Sequence, residues 1–194
     1  MTAPVFAAGA FRATEMHEAD VPRLQAFLEA NPEYDVAVNG VPPPPTAARD
    51  EFAQLPPSEI RYDKRWMIAI GDGGRDMAAM ANVVANMLAP TVWHIGLFVV
   101  ATRLHGTGAA REIYDGLEQW IRDGGAKWSR LGVVAGNARA ERFWEKLGYV
   151  EVRKRLAVPM GERVNDLRVM MKPLAGGTVA EYLALVARDR PETT

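Results

Sequence analysis

Three apolar runs at residues 66–70, 77–87 and 91–100 constrain the fold more than any other feature. Most of their positions are apolar on both faces, so none reads as a strand with one wet side. That is the pattern of strands at the centre of a sheet covered by helices. Gly71-Asp72-Gly73-Gly74 suits a hairpin turn between the first two runs, and Pro90 separates the second from the third. A sheet that must be covered on both faces needs helices before and after it.

The flanking sequence supplies them. Residues 5–13 read as a first strand. Asp20-Val21-Pro22 opens a helix whose stripe is Val21, Leu24, Phe27 and Leu28, running toward Asn31-Pro32. The run Pro42 to Pro45 reads as a rigid spacer, and Thr46 as the cap of a short helix with Ala48, Phe52 and Leu55, stopped by Pro56-Pro57. After residue 105 a helix carries Ala110, Ile113, Tyr114, Leu117, Trp120 and Ile121 on one stripe, ending at Gly124-Gly125. A strand at 128–134 leads to a helix with Ala140, Phe143, Trp144 and Leu147 at i, i+3, i+4 and i+7. Strands at 149–158 and 166–172 form a hairpin around Pro159-Met160-Gly161. Thr178-Val179-Ala180-Glu181 is a capping box for a last helix with Val179, Leu183 and Val186 on one face. It docks either on the core or on a second copy. The order is β-α-α-β-β-β-α-β-α-β-β, an α/β layer domain with a mixed sheet, antiparallel in its N-terminal part.

At 194 residues the chain reads as one domain spanning 1–174, with 175–194 a C-terminal helix and tail. A chain that is 48% hydrophobic and 24% charged is globular rather than disordered. The absence of cysteine excludes disulfides, thiolate metal sites and a Cys nucleophile, and His17, His94 and His105 have no metal-ligand spacing, so no metal is expected. Apolar runs such as 95–101 fall far short of the roughly 20 residues of a membrane span. No basic region precedes the apolar N-terminal residues, which argues against a secretion signal. These features point to a cytoplasmic protein that binds neither membrane nor nucleic acid. Charge is uneven: residues 1–102 carry 7 Lys and Arg against 12 Asp and Glu, and residues 103–155 carry 11 against 7. Solvated faces account for such a split, as does a cationic ligand near the first stretch and an anionic one on the second.

The stretch from Phe98 through Val100 to Ala110 carries the chemistry. A strand runs into Gly106-Thr107-Gly108, which opens a helix, and a helix N-terminus offers unpaired N–H groups to an anion. No Gly-Lys-Ser/Thr follows, and Arg111 stands where a dinucleotide fingerprint has its third glycine. Some 30 residues on, Asn137 begins a second strand–helix junction that includes Ala140, Trp144, Gly148 and Tyr149.

With both motifs in this order, the sequence resembles the GNAT superfamily of acyl-CoA-dependent N-acyltransferases. His105-Gly106-Thr107-Gly108-Ala109-Ala110 is similar to the family's Q/R-x-x-G-x-G/A loop. Asn137, Ala140, Trp144, Gly148 and Tyr149 are similar to its N-x-x-A-x-x-x-Y-x-x-x-G-F motif. The resemblance covers roughly residues 66–172. It implies acetyl transfer from acetyl-CoA to a primary amine, by direct attack in a ternary complex. It further implies that the 105–110 amides cradle the CoA diphosphate and that Phe98 and Val100 pair with pantetheine. A Val100 N–H would then polarise the thioester, and Asn137 would bond the pantetheine arm. Arg103, Arg111, Arg139 and Arg142 are candidates for the outer phosphates. Residues 66–172 would form the acyl-CoA core, residues 1–65 would shape the acceptor side with the 153–168 hairpin, and pairing as a homodimer is common among relatives.

Two positions depart from the pattern. His105 replaces Gln or Arg, and Trp144 stands where many members place the Tyr that protonates the thiolate, which indole cannot do. Tyr149 and Tyr114 are the substitutes. For the base, His94 shares strand parity with Phe98 and Val100 and titrates in the right range, although a strand histidine satisfied by a neighbour is the ordinary alternative. Glu33, Asp35, Asp50 and Glu51 are candidates to bind a cationic acceptor. Without turnover the same features describe an acyl-CoA-sensing domain, and a nucleotide binder using the 105–110 turn explains less. Met67, Met77, Met80 and Met87, like Trp120 and Phe143, read as core packing.

Overall fold

The computed structural model describes residues 5–73 and 76–191; Gly74 of the expected turn and the end of the C-terminal tail lie outside the described residues. Its elements in chain order are β1 (Phe6–Ala8), β2 (Phe11–Glu15), α1 (Val21–Ala30), α2 (Glu33–Asn39), α3 (Ala47–Ala53), β3 (Lys64–Gly71), β4 (Met77–Ala85) and β5 (Val92–Val100), followed by α4 (Ala109–Asp123), β6 (Trp128–Val134), α5 (Ala138–Lys146), β7 (Val150–Met160), β8 (Arg163–Pro173) and α6 (Val179–Leu185). Residues 5–13 are not one strand. Gly9, at φ +55°, turns the chain and splits the run into the β1–β2 hairpin. A third N-terminal helix, α2, begins after Pro32, where the ring's fixed φ starts a helix instead of ending one. Thr46 stands at the start of α3, but its hydroxyl donates to Asp50 (2.7 Å) and caps no backbone group.

The strands form one mixed sheet in the order β1-β2-β3-β4-β5-β6-β8-β7. All neighbours are antiparallel except β5 and β6, which run parallel and pair only from Val92–Trp128 to Ile95–Leu131. At that point β5 carries a bulge. Asn82 and Val83, adjacent on β4, pair with Leu97 and Ile95, so Gly96 is the extra residue. The bulge reverses the side-chain alternation. Trp93, Ile95 and Val100 face one core, whereas Leu97 and Val99 face the other. The parity expected for His94 therefore fails: it lies on the face opposite Phe98 and Val100.

On the first face, Ile113, Tyr114, Leu117 and Ile121 of α4 pack with Trp144 and Leu147 against Ile68, Ile70 and Leu131. On the second face, Leu24, Phe27 and Leu28 of α1 cover Met67, Met80 and Val99. Further along that face, α6 brings Tyr182 and Val186 onto Val92, Trp128 and Met171. The last helix thus docks on its own core, and Val179, expected to face inward, is exposed. Between the two covers the second face stays open.

A buried ion pair seals the C-terminal segment. Arg130 of β6 donates to both carboxylate oxygens of Asp189, at 2.6 and 3.0 Å, and the Tyr182 hydroxyl donates to the same carboxylate. Burial opposes the charge on Asp189, but the Arg130 bonds prevail and hold its pKa below the usual value. Stability from this pair is therefore complete above the unfolded carboxylate value of about 3.9 and is lost as pH falls through the lower folded one. Asp189→Asn leaves a guanidinium buried and unpaired, and should lower unfolding free energy by about 3–5 kcal/mol in urea titrations at neutral pH.

Candidate active site

Beyond Ile95 and Leu131 no pairing joins β5 to β6, and the sheet opens into a wedge. The Ala101 N–H donates to Ala78, and antiparallel ladders alternate every residue, so Val99 and Leu97 face β4. The backbone groups of Phe98 and Val100 consequently point into the wedge. The Val100 carbonyl is already claimed by His105, whose Nε2 donates to it at 3.0 Å. The Val100 N–H and both groups of Phe98 remain open.

The turn after β5 is shaped as an anion cradle. Gly106 and Gly108 have φ of +78° and +92°, which favours glycine, and a Cβ at either would meet nothing within 4 Å. Space therefore stands in front of the backbone. The N–H groups of His105, Thr107 and Ala109 go to Thr102, Leu104 and the Thr107 hydroxyl, whereas those of Gly106, Gly108 and Ala110 have no acceptor among the described residues. Three unclaimed amides at the start of a 15-residue helix fit the two phosphates of a diphosphate. The cleft before them, about 460 Å³, is lined by His105, Gly106, Ala110, Asn137, Arg139 and Trp144 among others. His105 Nδ1 accepts from Arg139 (2.9 Å), so this ring is the Nε2–H tautomer and holds a guanidinium at the cleft. Arg103 and Arg111 are paired with Asp72 and Asp115, but Arg139 and Arg142 form no ion pair among the described residues.

Asn137 is fixed by its own cap. Its Oδ1 accepts the Ala140 N–H (3.2 Å), leaving the Nδ2 donors to face the cleft. Ion pairs from Arg168 of β8 to Glu141 and Glu145, at 3.1 and 2.9 Å, tie α5 to the sheet.

On the open second face lies a larger cavity of about 840 Å³. Tyr34, Phe98, Asn137, Ala140 and Trp144 line both spaces, so the two chambers meet at the wedge. Glu51 of α3 faces this cavity. Burial raises its pKa, although the Asn82 hydrogen bond and nearby Arg65 pull the other way. Asn82 Nδ2 donates to Glu51 (2.8 Å), which leaves Asn82 Oδ1 buried without a partner. A carboxylate and an orphaned amide oxygen side by side are two acceptors awaiting a donor. Arg65 spends its terminal nitrogens on the backbone carbonyls of Phe52 and Glu51. Burial, then the charges of Glu51 and Asp35, hold the Tyr34 phenol well above its ordinary pKa, and its hydroxyl makes no hydrogen bond among the described residues.

The other expected groups lie elsewhere. His94 lines the larger cavity, but burial and then the Arg130 charge lower its pKa to about 3, with Nδ1 3.3 Å from Arg130. Tyr149 and Tyr114 line neither chamber: Tyr114 is on the buried side of α4 and Tyr149 lies beneath it, Tyr149 bonded to Ser129 and Tyr114, and Tyr114 to Glu118. Of the acids, Glu33 accepts from the Thr102 hydroxyl at the cleft, Asp35 and Glu51 line the larger cavity, and Asp50 lines neither. Tyr34 and Asn82 were missed. Nothing in their local sequence marks them: Tyr34 reaches the junction on the short α2, and Asn82 reaches the larger cavity from the middle of β4.

The family model described as "Acetyltransferase (GNAT) family" matches residues 25–149. The chain belongs to the GNAT acetyltransferase family. Solved GNAT structures share its fold. The ribosomal-protein-S18-alanine N-acetyltransferase of Escherichia coli superposes with a TM-score of 0.64 at 18% identity, over 87% of this chain and 97% of that one. An acetyltransferase of Thermus thermophilus does so at 0.65 and 18%, over 84% and 97%. The spermidine N-acetyltransferase of Vibrio cholerae, solved with CoA and spermine, reaches 0.65 at 12%, over 85% and 96%. No curated protein matches the chain in sequence. No helix among the described residues is long and apolar enough to cross a membrane.

If the cradle takes a diphosphate, acetyl-CoA at about a hundred times its Kd should add about 2.7 kcal/mol in thermal melts, well above ADP. Gly108→Glu puts a carboxylate in the phosphate seat and should abolish that increment, while costing the unliganded protein only about 1–3 kcal/mol of backbone strain.

Proposed function

We propose that this GNAT protein is an N-acetyltransferase that binds acetyl-CoA in the smaller cleft and a primary amine in the larger cavity. Direct transfer follows in a ternary complex. The observation that carries the reading is the meeting of the two chambers at Phe98, Asn137 and Trp144, beside open backbone donors. The amides of Gly106, Gly108 and Ala110 hold the diphosphate, and Arg139 and Arg142 the outer phosphate. Phe98 and Val100 pair with the pantetheine amides, Asn137 Nδ2 bonds the same arm, and the Val100 N–H polarises the thioester carbonyl.

An amine is protonated at neutral pH and must lose a proton before attack. Glu51 is the acceptor of that proton, with Asn82 Oδ1 holding a second N–H in line. The amine nitrogen bonds to the carbonyl carbon, the C–S bond breaks as that nitrogen sheds its second proton to solvent, and the thiolate takes a proton from Tyr34, which solvent restores. Tyr34 thus does the work for which Trp144 is unfit. His94 stays a neutral, positioned wall residue, and Tyr149 a buried link between β6 and α4.

Glu51 works only when ionised, and its pKa is raised above 4.5, so kcat/KM should fall as the pH drops through that raised value. Glu51→Gln should remove this acid limb and lower kcat by about 10²–10⁴-fold. Tyr34→Phe should cost less, because a thiol with a pKa of about 8.5 leaves without much help. Thiol release across pH 5–9 checks all three; an unaltered limb in Glu51→Gln would remove Glu51 from the role.

A further inference from the structure

The larger cavity is lined by charges of both signs, contributed by different parts of the chain. Asp35, Glu51 and Glu59, all from the N-terminal third of the chain, line one side. Arg155 of β7 and Arg188 beyond α6 line it from the C-terminal half. The two arginines are exposed, and neither forms an ion pair or a side-chain hydrogen bond among the described residues. Asp189, next to Arg188, feels its charge but forms no bond with it, since Arg130 takes both carboxylate oxygens and the Tyr182 hydroxyl bonds the same group. Arg130 is thereby neutralised, and Arg65, beside Glu51, spends its terminal nitrogens on backbone carbonyls, so the guanidinium donors still open to a ligand are those of Arg155 and Arg188.

We propose that the acceptor is a small amphoteric amine, with a primary amine at one end and a carboxylate or similar oxyanion at the other. The proposal rests on the acyl-transfer reading and names its substrate class. The ammonium end seats against Glu51 and the orphaned Asn82 oxygen, which a cation donor satisfies and an anion does not. The oxyanion end reaches the Arg155 and Arg188 guanidiniums, whose planar donors suit it. A volume of about 840 Å³ leaves room for several carbon atoms between the two ends. A polyamine would fit only half of this cavity, because its second cation meets the arginine wall. Orientation follows from charge alone. A reversed acceptor puts its carboxylate beside Glu51 and Asp35, so the field selects the pose that presents nitrogen to the wedge.

The test uses the full-length protein, acetyl-CoA, and thiol release from ω-amino carboxylates of two to six methylenes, with the matching amides and diamines. The expected result is a kcat/KM for the best amino carboxylate at least ten-fold above that of its amide, with the diamine lowest. In the Arg155→Gln/Arg188→Gln double variant the KM of the carboxylate should rise to that of the amide, and the preference should vanish. Both positions are exposed, so folding is not at stake. Diamines or amides used as well as carboxylates, or a preference that survives the double variant, would overturn the proposal while leaving acyl transfer intact. Thiol release from no amine at all would overturn the acyl-transfer reading as well.

Discussion

The wedge between β5 and β6 is the constraint on which the rest of the molecule depends. A parallel pair normally satisfies each backbone group along its length, and here it stops after four residues of β5. Past Ile95, β5 has one side paired and the other open. Unpaired backbone polar groups are costly when buried, so this stretch must face either water or a ligand with matching amides. The Gly96 bulge sits where the pairing stops, and it sends Phe98 toward α4 while turning Leu97 toward α1. One extra residue thus ends the ladder and re-aims the strand.

Keeping the wedge open requires that neither strand slide back, and interactions on both sides prevent it. On the β5 side, Asn31 at the end of α1 accepts the Thr102 N–H (2.7 Å) and donates to Phe27 (2.7 Å), so helix and strand end are joined through one side chain. On the β6 side, the Arg130–Asp189 pair fixes the C-terminal segment over the parallel stretch, and Arg168 fixes α5. His94 lies between these two systems. Its depressed pKa follows from being enclosed beside a guanidinium, which is the environment of a structural histidine.

Much of this was legible in the sequence. Elements with strong local signals, such as the stripe of α4, the Asn137 cap and the Thr178 capping box, lie where the pattern puts them. The glycine loop was readable because φ > 0 and an uncrowded backbone are properties of residue type. The departures have separate causes. A bulge inserts a residue without altering the hydrophobic pattern, so strand parity carried His94 to the wrong face. Tyr149 and Tyr114 were drawn in because a phenol was wanted near Trp144, but the side of α4 that packs on the sheet takes them out of reach of either chamber. The three-residue β1 and the seven-residue α2 are too short for periodicity to register, and α2 is the helix that carries Tyr34 and Asp35 to the cavity.

Trp144 shows how the missing phenol and the apolar lining of the cleft are linked. Its indole makes edge-on contacts with Phe98, Phe143, Tyr114 and Tyr149, with ring centroids 5.0–5.8 Å apart. A tyrosine there would bring a hydroxyl into this cluster that demands a partner; indole instead extends the apolar wall to the junction of the chambers. An apolar wall lowers the local dielectric, and the open N–H of Val100 then acts more strongly on any charge that develops beside it. Burial of its own carboxylate raises the pKa of Glu51, which makes it a stronger base once ionised. The polar side chains at this end of the chambers stand instead on the N-terminal helices, Tyr34 on α2 and Glu51 on α3. Those helices are held from more than one side: the Thr102 hydroxyl donates to Glu33 of α2, and Arg65 of β3 donates to the Glu51 and Phe52 carbonyls of α3, so β3 and the end of β5 together fix where Tyr34 and Glu51 stand.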